Sequence, residues 1–228
     1  MPAKKQITVL LAEDHAVVRQ GLSALLKADG HFKMVGEARN GREAVDMAKA
    51  LSPDVVLMDV AMPVLNGLEA TRQILAANPS AKIMILSAHS DDEYIERMNE
   101  AGVAGFLEKQ TSAEILTRSI LEVAAGKRVF SPSIAKRLNH DHSKSRDRNG
   151  AVKSNGNRLT TRESEVLQLV AEGSANKQVA ASLGISIKTV EKHRQQLMDK
   201  LNIHDTAGLT RYAISAGVIE NSVQATTI

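Results

Sequence analysis

Reactive side chains follow four short apolar runs in the first half of the chain. They are an acid pair, a single carboxylate, a hydroxyl and an ammonium group: Glu13 with Asp14, Asp59, Ser87 and Lys109. If the runs are strands of one parallel sheet, their carboxyl ends share an edge, and these side chains converge there. Carboxylates bind Mg²⁺, while a hydroxyl and an ammonium group can contact phosphoryl oxygens. The pattern therefore predicts a site for phosphoryl transfer with a divalent cation.

The elements that must position these side chains can be read from hydrophobic periodicity. Five apolar runs have the length and β-branched content of buried strands: Ile7 to Ala12, Met34 to Ala38, Val55 to Met58, Ile83 to Leu86 and Gly105 to Leu107. Segments with helical spacing of apolar residues separate them. This alternation predicts an α/β fold of the flavodoxin-like type, a doubly wound, five-stranded parallel sheet with helices on both faces.

A polar segment divides the chain. Residues 139–158 contain almost no apolar side chains, which predicts a flexible linker. We expect a first domain over residues 1–127, a linker over 128–158 and a second domain over 159–228. Lys and Arg outnumber Asp and Glu by 8 to 2 in the linker, against 14 to 17 before it and 7 to 7 after it. This basic excess either attracts an anionic partner such as nucleic acid or only keeps the segment solvated.

The composition excludes several classes of protein. The chain has no cysteine, which excludes disulfides and thiolate metal sites and is typical of the reducing cytosol. No apolar stretch reaches the length of a membrane span, and residues 1–6 lack the apolar core of a secretory signal. We expect a cytoplasmic protein without membrane association.

The second domain carries helical patterns in close succession and no strand pattern. The patterns span Thr161 to Glu172, Lys177 to Leu183, Ile187 to Leu201 and Ala207 to Ala216. Thr160 with Glu163 fits a capping box before the first of them. Gly184 begins a tight turn between the second and third, as in a helix-turn-helix. We therefore predict an all-α, four-helix helix-turn-helix domain.

The third of these helices has the character of a DNA-recognition helix. Val190, Leu197 and Leu201 form an apolar stripe at helical spacing. The predicted outward face carries Lys188, Glu191, Lys192, Gln195 and Lys200, with Arg194 beside it. Lysine can bond guanine, glutamine can bond adenine, and glutamate can accept a hydrogen bond from cytosine N4. An exposed charged face without a partner is the alternative interpretation of the same pattern.

The first domain resembles the receiver domain of two-component response regulators. The matching segments are LLAEDH at the first strand, VVLMDVAMPVLNG around Asp59, ILSAH at the fourth strand and GFLEK at the fifth, over roughly residues 5 to 127. The resemblance implies that Asp59 is the phosphoacceptor. It also implies that Glu13, Asp14, Asp59 and the carbonyl of Ala61 hold Mg²⁺.

The same resemblance assigns the residues that read the phosphoryl group. Ser87 and Lys109 would contact it, and Ser87 with Phe106 would form the conformational switch. One departure is Gln110, because many receivers have proline after the lysine, with a cis peptide bond that is costly without proline.

Residues 159 to 219 resemble the LuxR-type helix-turn-helix. The matching segments are LTTRESEVLQLVAEG, NKQVAASLGIS and KTVEKHRQQLMDKL. The resemblance implies base contacts from Glu191, Lys192 and Gln195 and a dimer contact through the last helix. The implied contacts to DNA phosphates are Asn176, Lys177, Lys188, Thr189 and His193. Ala175 departs from the family, which usually has serine there.

Together the two resemblances imply a response regulator of the NarL/FixJ type. A sensor histidine kinase would phosphorylate Asp59, and a homodimer would then bind double-stranded DNA and control transcription, with RNA polymerase as a further partner. Two alternatives remain open. One is a regulator or interaction protein that works without phosphorylation. The other is a phosphatase with an aspartyl intermediate, which generally needs a second carboxylate where Ala61 stands. We expect a regulator and not an enzyme.

Overall fold

The structure is a computed structural model that describes residues 6–88, 92–132, 134, 135 and 159–219, with the backbone only for 92–94. The chain divides into two compact units, Met1–Ala151 and Val152–Ile228. Each unit has buried apolar residues of its own. None of the described helices is long and apolar enough to cross a membrane.

The first unit is a parallel sheet flanked by helices. Its strands are β1 (Ile7–Ala12), β2 (Phe32–Ala38), β3 (Val55–Asp59), β4 (Ile83–Ser87), β5 (Gly105–Glu108) and β6 (Val129–Phe130). Its helices are α1 (Ala16–Ala28), α2 (Gly41–Leu51), α3 (Gly67–Ala77), α4 (Asp92–Ala101) and α5 (Ala113–Ala124). The strand order is β2-β1-β3-β4-β5-β6, and each neighbouring pair is parallel. The predicted flavodoxin-like fold is confirmed.

Both faces of the sheet are buried, because helices cover each of them. In β1, Leu10 and Ala12 belong to one apolar layer, and Val9 and Leu11 belong to the other. Successive side chains of a strand point to opposite faces, so a strand covered on both sides is apolar throughout. The strand order reverses between β1 and β3, and ligands of such sheets bind at the carboxyl ends of strands beside this switch point.

The sheet has one strand more than the five that the sequence predicts. β6 pairs in parallel with β5 and sets Phe130 opposite Phe106. The Arg128 guanidinium lies 5.0 Å from the centre of the Phe130 ring and donates a hydrogen bond to Asn99 Oδ1 at 2.7 Å. A strand of two residues is too short to show periodicity, and only its neighbour in space makes it a strand. It lies in the segment that the sequence assigns to the linker.

The second unit contains helices α6 (Thr161–Ala171), α7 (Asn176–Leu183), α8 (Ile187–Leu201) and α9 (Thr206–Ser215). The predicted capping box is present, since Thr160 N donates to Glu163 Oε2 at 2.8 Å and Glu163 N donates to Thr160 Oγ1 at 3.3 Å. Gly184 ends α7 in the left-handed conformation, with φ of 63°, which glycine adopts readily. The predicted helix-turn-helix is confirmed.

The core of the second unit draws on every one of its helices. Val190 and Leu197 of α8 are fully buried, which confirms the apolar stripe, whereas Leu201 is half-buried. Further buried residues are Val166, Leu167, Leu169, Val170, Val179, Leu183, Leu209, Ala213 and Val218. The packing leaves one face of α8 exposed.

Candidate phosphoryl site and DNA-recognition surface

The predicted acidic residues meet at the carboxyl ends of β1 and β3. Glu13 and Asp14 directly follow β1, and Asp59 is the last residue of β3. Each of these three residues, together with His15, offers a ligand atom within 4.8 Å of the others. The predicted convergence is therefore confirmed, at the switch point of the sheet.

Lys109 joins the two sides of this cluster. Its Nζ lies 2.9 Å from Glu13 Oε2 and 2.9 Å from Asp59 Oδ2. The residue follows β5, and its backbone N–H donates to the carbonyl of Ser87 at 2.7 Å. Ser87 is the last residue of β4 and is buried. The five predicted residues thus come together from the ends of four strands.

Burial and repulsion shape the charges of the cluster. Burial, followed by the charge of Glu13, raises the pKa of Asp59 to about 6, although Lys109 and the Val60 N–H oppose the rise. Burial lowers the pKa of Lys109, but the neighbouring carboxylates outweigh it and hold that pKa above 10.5. Lys109 is therefore charged, whereas ionisation of Asp59 destabilises the folded protein. The cluster has more acidic than basic groups.

The donor set fits a divalent cation. Asp14 Oδ1 and Asp59 Oδ2 are buried. Asp14 Oδ1 lies 2.8 Å from His15 Nδ1, and Asp59 Oδ2 lies 2.9 Å from Lys109 Nζ. Carboxylate oxygens are the protein ligands that Mg²⁺ prefers. Ala61, whose carbonyl is the fourth predicted ligand, is half-buried two residues after Asp59.

The loop after Asp59 is held by close backbone contacts. Gly67 N donates to the Val60 carbonyl at 2.8 Å, and a Cβ on Gly67 would lie 2.0 Å from the Asp59 carbonyl oxygen. Between them, Val64 has φ of 70°, and Leu65 N donates to the Pro63 carbonyl at 2.8 Å. This is a γ-turn, which is strained at a β-branched residue. Because the Asp59 carbonyl lies so close to Gly67, position 67 has no room for a side chain.

Two residues of this site escaped sequence reasoning. His15 Nδ1 lies 2.8 Å from Asp14 Oδ1 and 3.1 Å from Glu13 Oε1, and Asp14 raises the pKa of His15. Arg19 donates to the carbonyls of Glu13 and Asp14, at 2.8 and 3.1 Å. The position of His15 directly after the acid pair was a usable signal. The Arg19 contacts depend on the path of the loop, which the sequence does not specify.

Phe106 points into the core. It is fully buried in the apolar layer that also contains Met98 and Ile134, and Phe130 packs against this layer. The carbonyl of Phe106 accepts a hydrogen bond from Ser131 N at 3.1 Å. The backbone of the predicted switch residue is thus hydrogen-bonded to the residue that directly follows β6.

The backbone at Gln110 does not follow the family's proline pattern. The described part of the chain contains no cis peptide bond. Lys109 is nonetheless held at the site by its two ion pairs.

The predicted base-reading residues share one exposed face of α8. Glu191, Lys192 and Gln195 are exposed, as is Lys188 one turn earlier. The spacing of these four residues is that of neighbours on a helix surface. Gln195 Nε2 donates to Asp199 Oδ1 at 2.8 Å. The face can therefore present donors and acceptors to a groove of DNA.

The predicted phosphate-contacting residues lie near the N-termini of α7 and α8 or one turn into α8. Asn176 and Lys177 begin α7, and Thr189 Oγ1 lies 2.8 Å from Oγ of Ser186, the N-cap of α8. Lys188 is exposed and His193 is half-buried. Helix N-termini favour phosphate because their backbone N–H groups are free to donate.

Ala175 has no side chain that could cap α7. The backbone N–H of Ala175 instead donates to Gln178 Oε1 at 2.8 Å. This bond satisfies the N–H of Ala175 itself and does not replace the bond that a serine hydroxyl would accept from the first turn of the helix.

The sequence places two cationic side chains on or beside the outward face of α8. In the structure both donate hydrogen bonds to other helices of the same domain or to their ends. Lys200 Nζ donates to Glu163 Oε2 of α6 at 2.7 Å. Arg194 donates to Asn176 Oδ1 at 3.1 Å and to Thr206 Oγ1. The placement of Lys200 on the outward face was wrong, because helical periodicity alone cannot show which flank of a helix the neighbouring helices cover.

A parallel sheet with an acid cluster and a lysine at its carboxyl edge, followed by a helix-turn-helix, defines a response regulator. The chain belongs to the family of response regulators of the NarL/FixJ type, which have a receiver domain and a LuxR-type DNA-binding domain. Residues 9–121 match the response regulator receiver domain, and residues 157–213 match the bacterial regulatory proteins of the luxR family.

Full-length relatives share both domains. The transcriptional regulatory protein MctR of Rhizobium johnstonii is 34% identical over 96% of this chain and 98% of its own length. The transcriptional regulatory protein DegU of Brevibacillus brevis is 30% identical over 95% of this chain and 97% of its own length. The crystal structure of response regulator ChrA of a heme-sensing two-component system is 30% identical, with a TM-score of 0.51 over 94% of this chain and 99% of ChrA.

Proposed function

We propose that Asp59 accepts a phosphoryl group from a sensor histidine kinase and that this modification controls binding of the chain to double-stranded DNA. The observation that carries the proposal is the position of Lys109, whose Nζ lies 2.9 Å from both Glu13 Oε2 and Asp59 Oδ2. A cation beside a carboxylate at this edge of the sheet offsets the negative charge that gathers during phosphoryl transfer.

The two oxygens of Asp59 have different surroundings. Oδ1 accepts a hydrogen bond from Val60 N at 2.7 Å, whereas Oδ2 faces Lys109. Oδ2 is therefore the nucleophile. It forms the new P–O bond while the P–N bond of the kinase phosphohistidine breaks, and the released imidazole nitrogen takes up a proton.

Glu13, Asp14, Asp59 and the Ala61 carbonyl would hold Mg²⁺, which when bound supplies positive charge that offsets repulsion between the carboxylate and the phosphoryl oxygens. Lys109 then pairs with a phosphoryl oxygen, and the Ser87 hydroxyl donates to another. The Phe106 carbonyl accepts a hydrogen bond from Ser131 N. A conformational change at Ser87 and Phe106 therefore reaches the segment that leads to the second domain.

The exposed face of α8 is the DNA-reading surface in this proposal. Glu191, Lys192 and Gln195 contact base edges in the major groove, because they lie on the N-terminal two-thirds of the helix. The phosphate-contacting residues are Asn176, Lys177, Lys188, Thr189 and His193. A homodimer would place two such helices on two half-sites, with RNA polymerase as a partner in the cytoplasm.

The phosphoacceptor is tested by labelling with acetyl phosphate and Mg²⁺. The wild-type chain gains one phosphoryl group by mass spectrometry, and Asp59→Asn gains none. Asp46→Asn, at an exposed carboxylate of α2, is the matched control and labels normally. Equal labelling of Asp59→Asn would remove Asp59 from the mechanism.

The DNA-reading surface is tested on an operator selected from random DNA with the phosphorylated protein. Lys192→Ala and Gln195→Ala relax the preference for particular bases, each by about 1 to 3 kcal/mol. Lys188→Ala weakens binding to all sequences alike and lowers the salt dependence by about one charge. Affinity and oligomeric state that do not change on phosphorylation would favour a regulator that works without it.

A further inference from the structure

We propose that His15 is an additional ligand of the acidic cluster, so that the site binds transition-metal ions of the Mn²⁺ to Zn²⁺ series more tightly than Mg²⁺. The inference rests on the proposed function, in which this cluster holds a divalent cation. Within the residues that the structure describes, Glu13, Asp14, His15 and Asp59 are the one group of three or more candidate ligands whose atoms lie this close.

The distances suit ligands of one ion. His15 Nδ1 is 2.8 Å from Asp14 Oδ1 and 3.1 Å from Glu13 Oε1. Neighbouring ligands of an octahedral ion with bonds of about 2.1 Å stand about 3 Å apart. The imidazole nitrogen and the two carboxylate oxygens therefore already have the separation of ligands that share an ion.

A second observation points to a cation at the same place. Asp59 and Glu13 are 4% and 1% exposed, so both carboxylates are removed from solvent. Lys109 Nζ lies 2.9 Å from Asp59 Oδ2 and provides a single positive charge for the buried pair of Asp59 and Glu13. Two buried carboxylates beside one ammonium group leave a net negative charge, which is costly to bury and which a bound cation would offset.

The backbone holds His15 in position. His15 N donates to Glu13 Oε1 at 3.1 Å, and Arg19 donates to the carbonyls of Glu13 and Asp14. Helix α1 begins at the next residue. The side chain is 61% exposed, so its ring can turn toward an ion without displacing any core residue.

The imidazole nitrogen determines which ions the site binds more tightly. Imidazole suits Mn²⁺, Ni²⁺ and Zn²⁺, whereas Mg²⁺ favours oxygen ligands and retains water. His31 provides an internal comparison, since its Nδ1 lies 2.7 Å from Asp29 Oδ1. His31 belongs to no such group of ligands among the described residues. Within the described residues, both His15 and His31 lie beside an aspartate, but of these two only His15 adjoins a cluster of ligands.

The experiment is a calorimetric titration of the full chain with Ni²⁺ and separately with Mg²⁺. Wild type, His15→Ala and His31→Ala are compared, and the Ni²⁺ titration is repeated with saturating Mg²⁺ to identify the heat that belongs to the acidic cluster. We expect His15→Ala to lower the ratio of Ni²⁺ to Mg²⁺ affinity at this site at least about tenfold, since even hydrogen-bond partners of metal ligands contribute that much. His31→Ala leaves the ratio unchanged.

Mn²⁺ provides a direct spectroscopic readout. Pulsed electron paramagnetic resonance of Mn²⁺ bound to wild type shows coupling to a histidine nitrogen, and His15→Ala lacks it. An unchanged affinity ratio, or equal losses of Ni²⁺ and Mg²⁺ affinity in His15→Ala, would overturn the assignment while leaving the proposed phosphoryl site in place. Failure of wild type to bind any of these ions would overturn both.

Discussion

Charged side chains are buried and paired at the phosphoryl site, whereas on the recognition face of α8 they stand in solvent. Glu13 and Asp59 are 1% and 4% exposed and share one lysine. Lys192 and Glu191 are exposed and neighbour each other on a single helix. Burial in a low dielectric makes charge interactions strong and makes every unpaired charge costly. We therefore expect the same residue types to affect folding at the phosphoryl site and chiefly binding on the recognition face of α8.

The largest difference in stability is expected between two glycines. Gly67→Ala would set a Cβ 2.0 Å from the backbone oxygen of Asp59, so the loop at the phosphoryl site must shift, and we expect a loss of more than about 3 kcal/mol. Gly184→Ala meets no atom within 4 Å but has to adopt φ of 63°, which costs about 1 to 2 kcal/mol. Urea unfolding followed by circular dichroism measures both.

Gly21→Ala is the control for this pair. Gly21 lies in helix α1 with nothing within 4 Å of the added Cβ. Alanine favours a helix over glycine by up to about 1 kcal/mol, so this variant gains stability. Equal losses from Gly67→Ala and Gly184→Ala would contradict the distinction between a steric and a conformational requirement.

Asp59→Asn is expected to stabilise the first unit in the absence of divalent ions. Burial, followed by the Glu13 charge, raises the pKa of Asp59 from 3.8 to about 6, which corresponds to about 3 kcal/mol of destabilisation by the ionised carboxylate at pH 7. Asparagine keeps the shape of the side chain without the charge. Urea unfolding in a chelating buffer measures the difference in unfolding free energy between Asp59→Asn and wild type.

The gain from Asp59→Asn depends on pH in a defined direction. Because the pKa is higher in the folded state, the folded protein binds more protons than the unfolded chain between pH 3.8 and about 6, and the wild type loses stability as the pH rises through this window. The gain is therefore nearly absent below pH 3.8 and complete above about 6. A gain that does not vary with pH would show that the carboxylate charge is not its cause.

Glu163→Gln tests a buried charge in the second unit, with an effect of about 1 kcal/mol at pH 7. Burial raises the pKa of Glu163, but the hydrogen bonds from Lys200 and Thr160 outweigh it and hold that pKa below 4.5. Glutamine keeps the capping box and loses the ion pair. Stability from the charged form is complete above pH 4.5 and disappears as the pH falls through the lower folded-state pKa.

Hydrogen exchange at the amides of α6 and α8 measures the effect of Glu163→Gln. Protection at pH 7 decreases relative to wild type, and the two proteins become alike in acid. A loss of protection that persists below the folded-state pKa of Glu163 would indicate a defect in packing.

The smallest effect on folding is expected on the recognition face. Lys192→Ala changes the free energy of unfolding by less than about 0.5 kcal/mol, because the side chain is exposed and away from the core. The same variant loses affinity for the selected operator. A loss of stability comparable to that of Glu163→Gln would show that the face is structural.

Much of the fold follows from local patterns. The strands around the phosphoryl site are apolar throughout because both faces of the sheet are covered, and polar residues mark where they end. Asp59 and Lys109 could therefore be predicted to converge, because both follow strands of one parallel sheet, whose carboxyl ends share an edge. The stripe of Val190 and Leu197 predicted which side of α8 is buried.

Other features required contacts between distant segments. Strand β6 has two residues and exists only because β5 offers a free edge. The periodicity of α8 predicts that Lys200 is a surface residue. In the structure it pairs with Glu163 of α6, which lies 37 residues earlier in the chain. His15 carried a signal in its place beside the acid pair, but its distances to both carboxylates follow from the turn before α1.

The sequence by itself determined which residues carry reactive groups, the order of strands and helices, and the exposed face of the recognition helix, because these depend on side-chain chemistry and on local periodicity. Only the tertiary structure decided which charges share a lysine, how far burial raises the pKa of Asp59, and that Arg194 and Lys200 act inside their domain. Those properties depend on distance and desolvation, and both are set by segments that are remote along the chain.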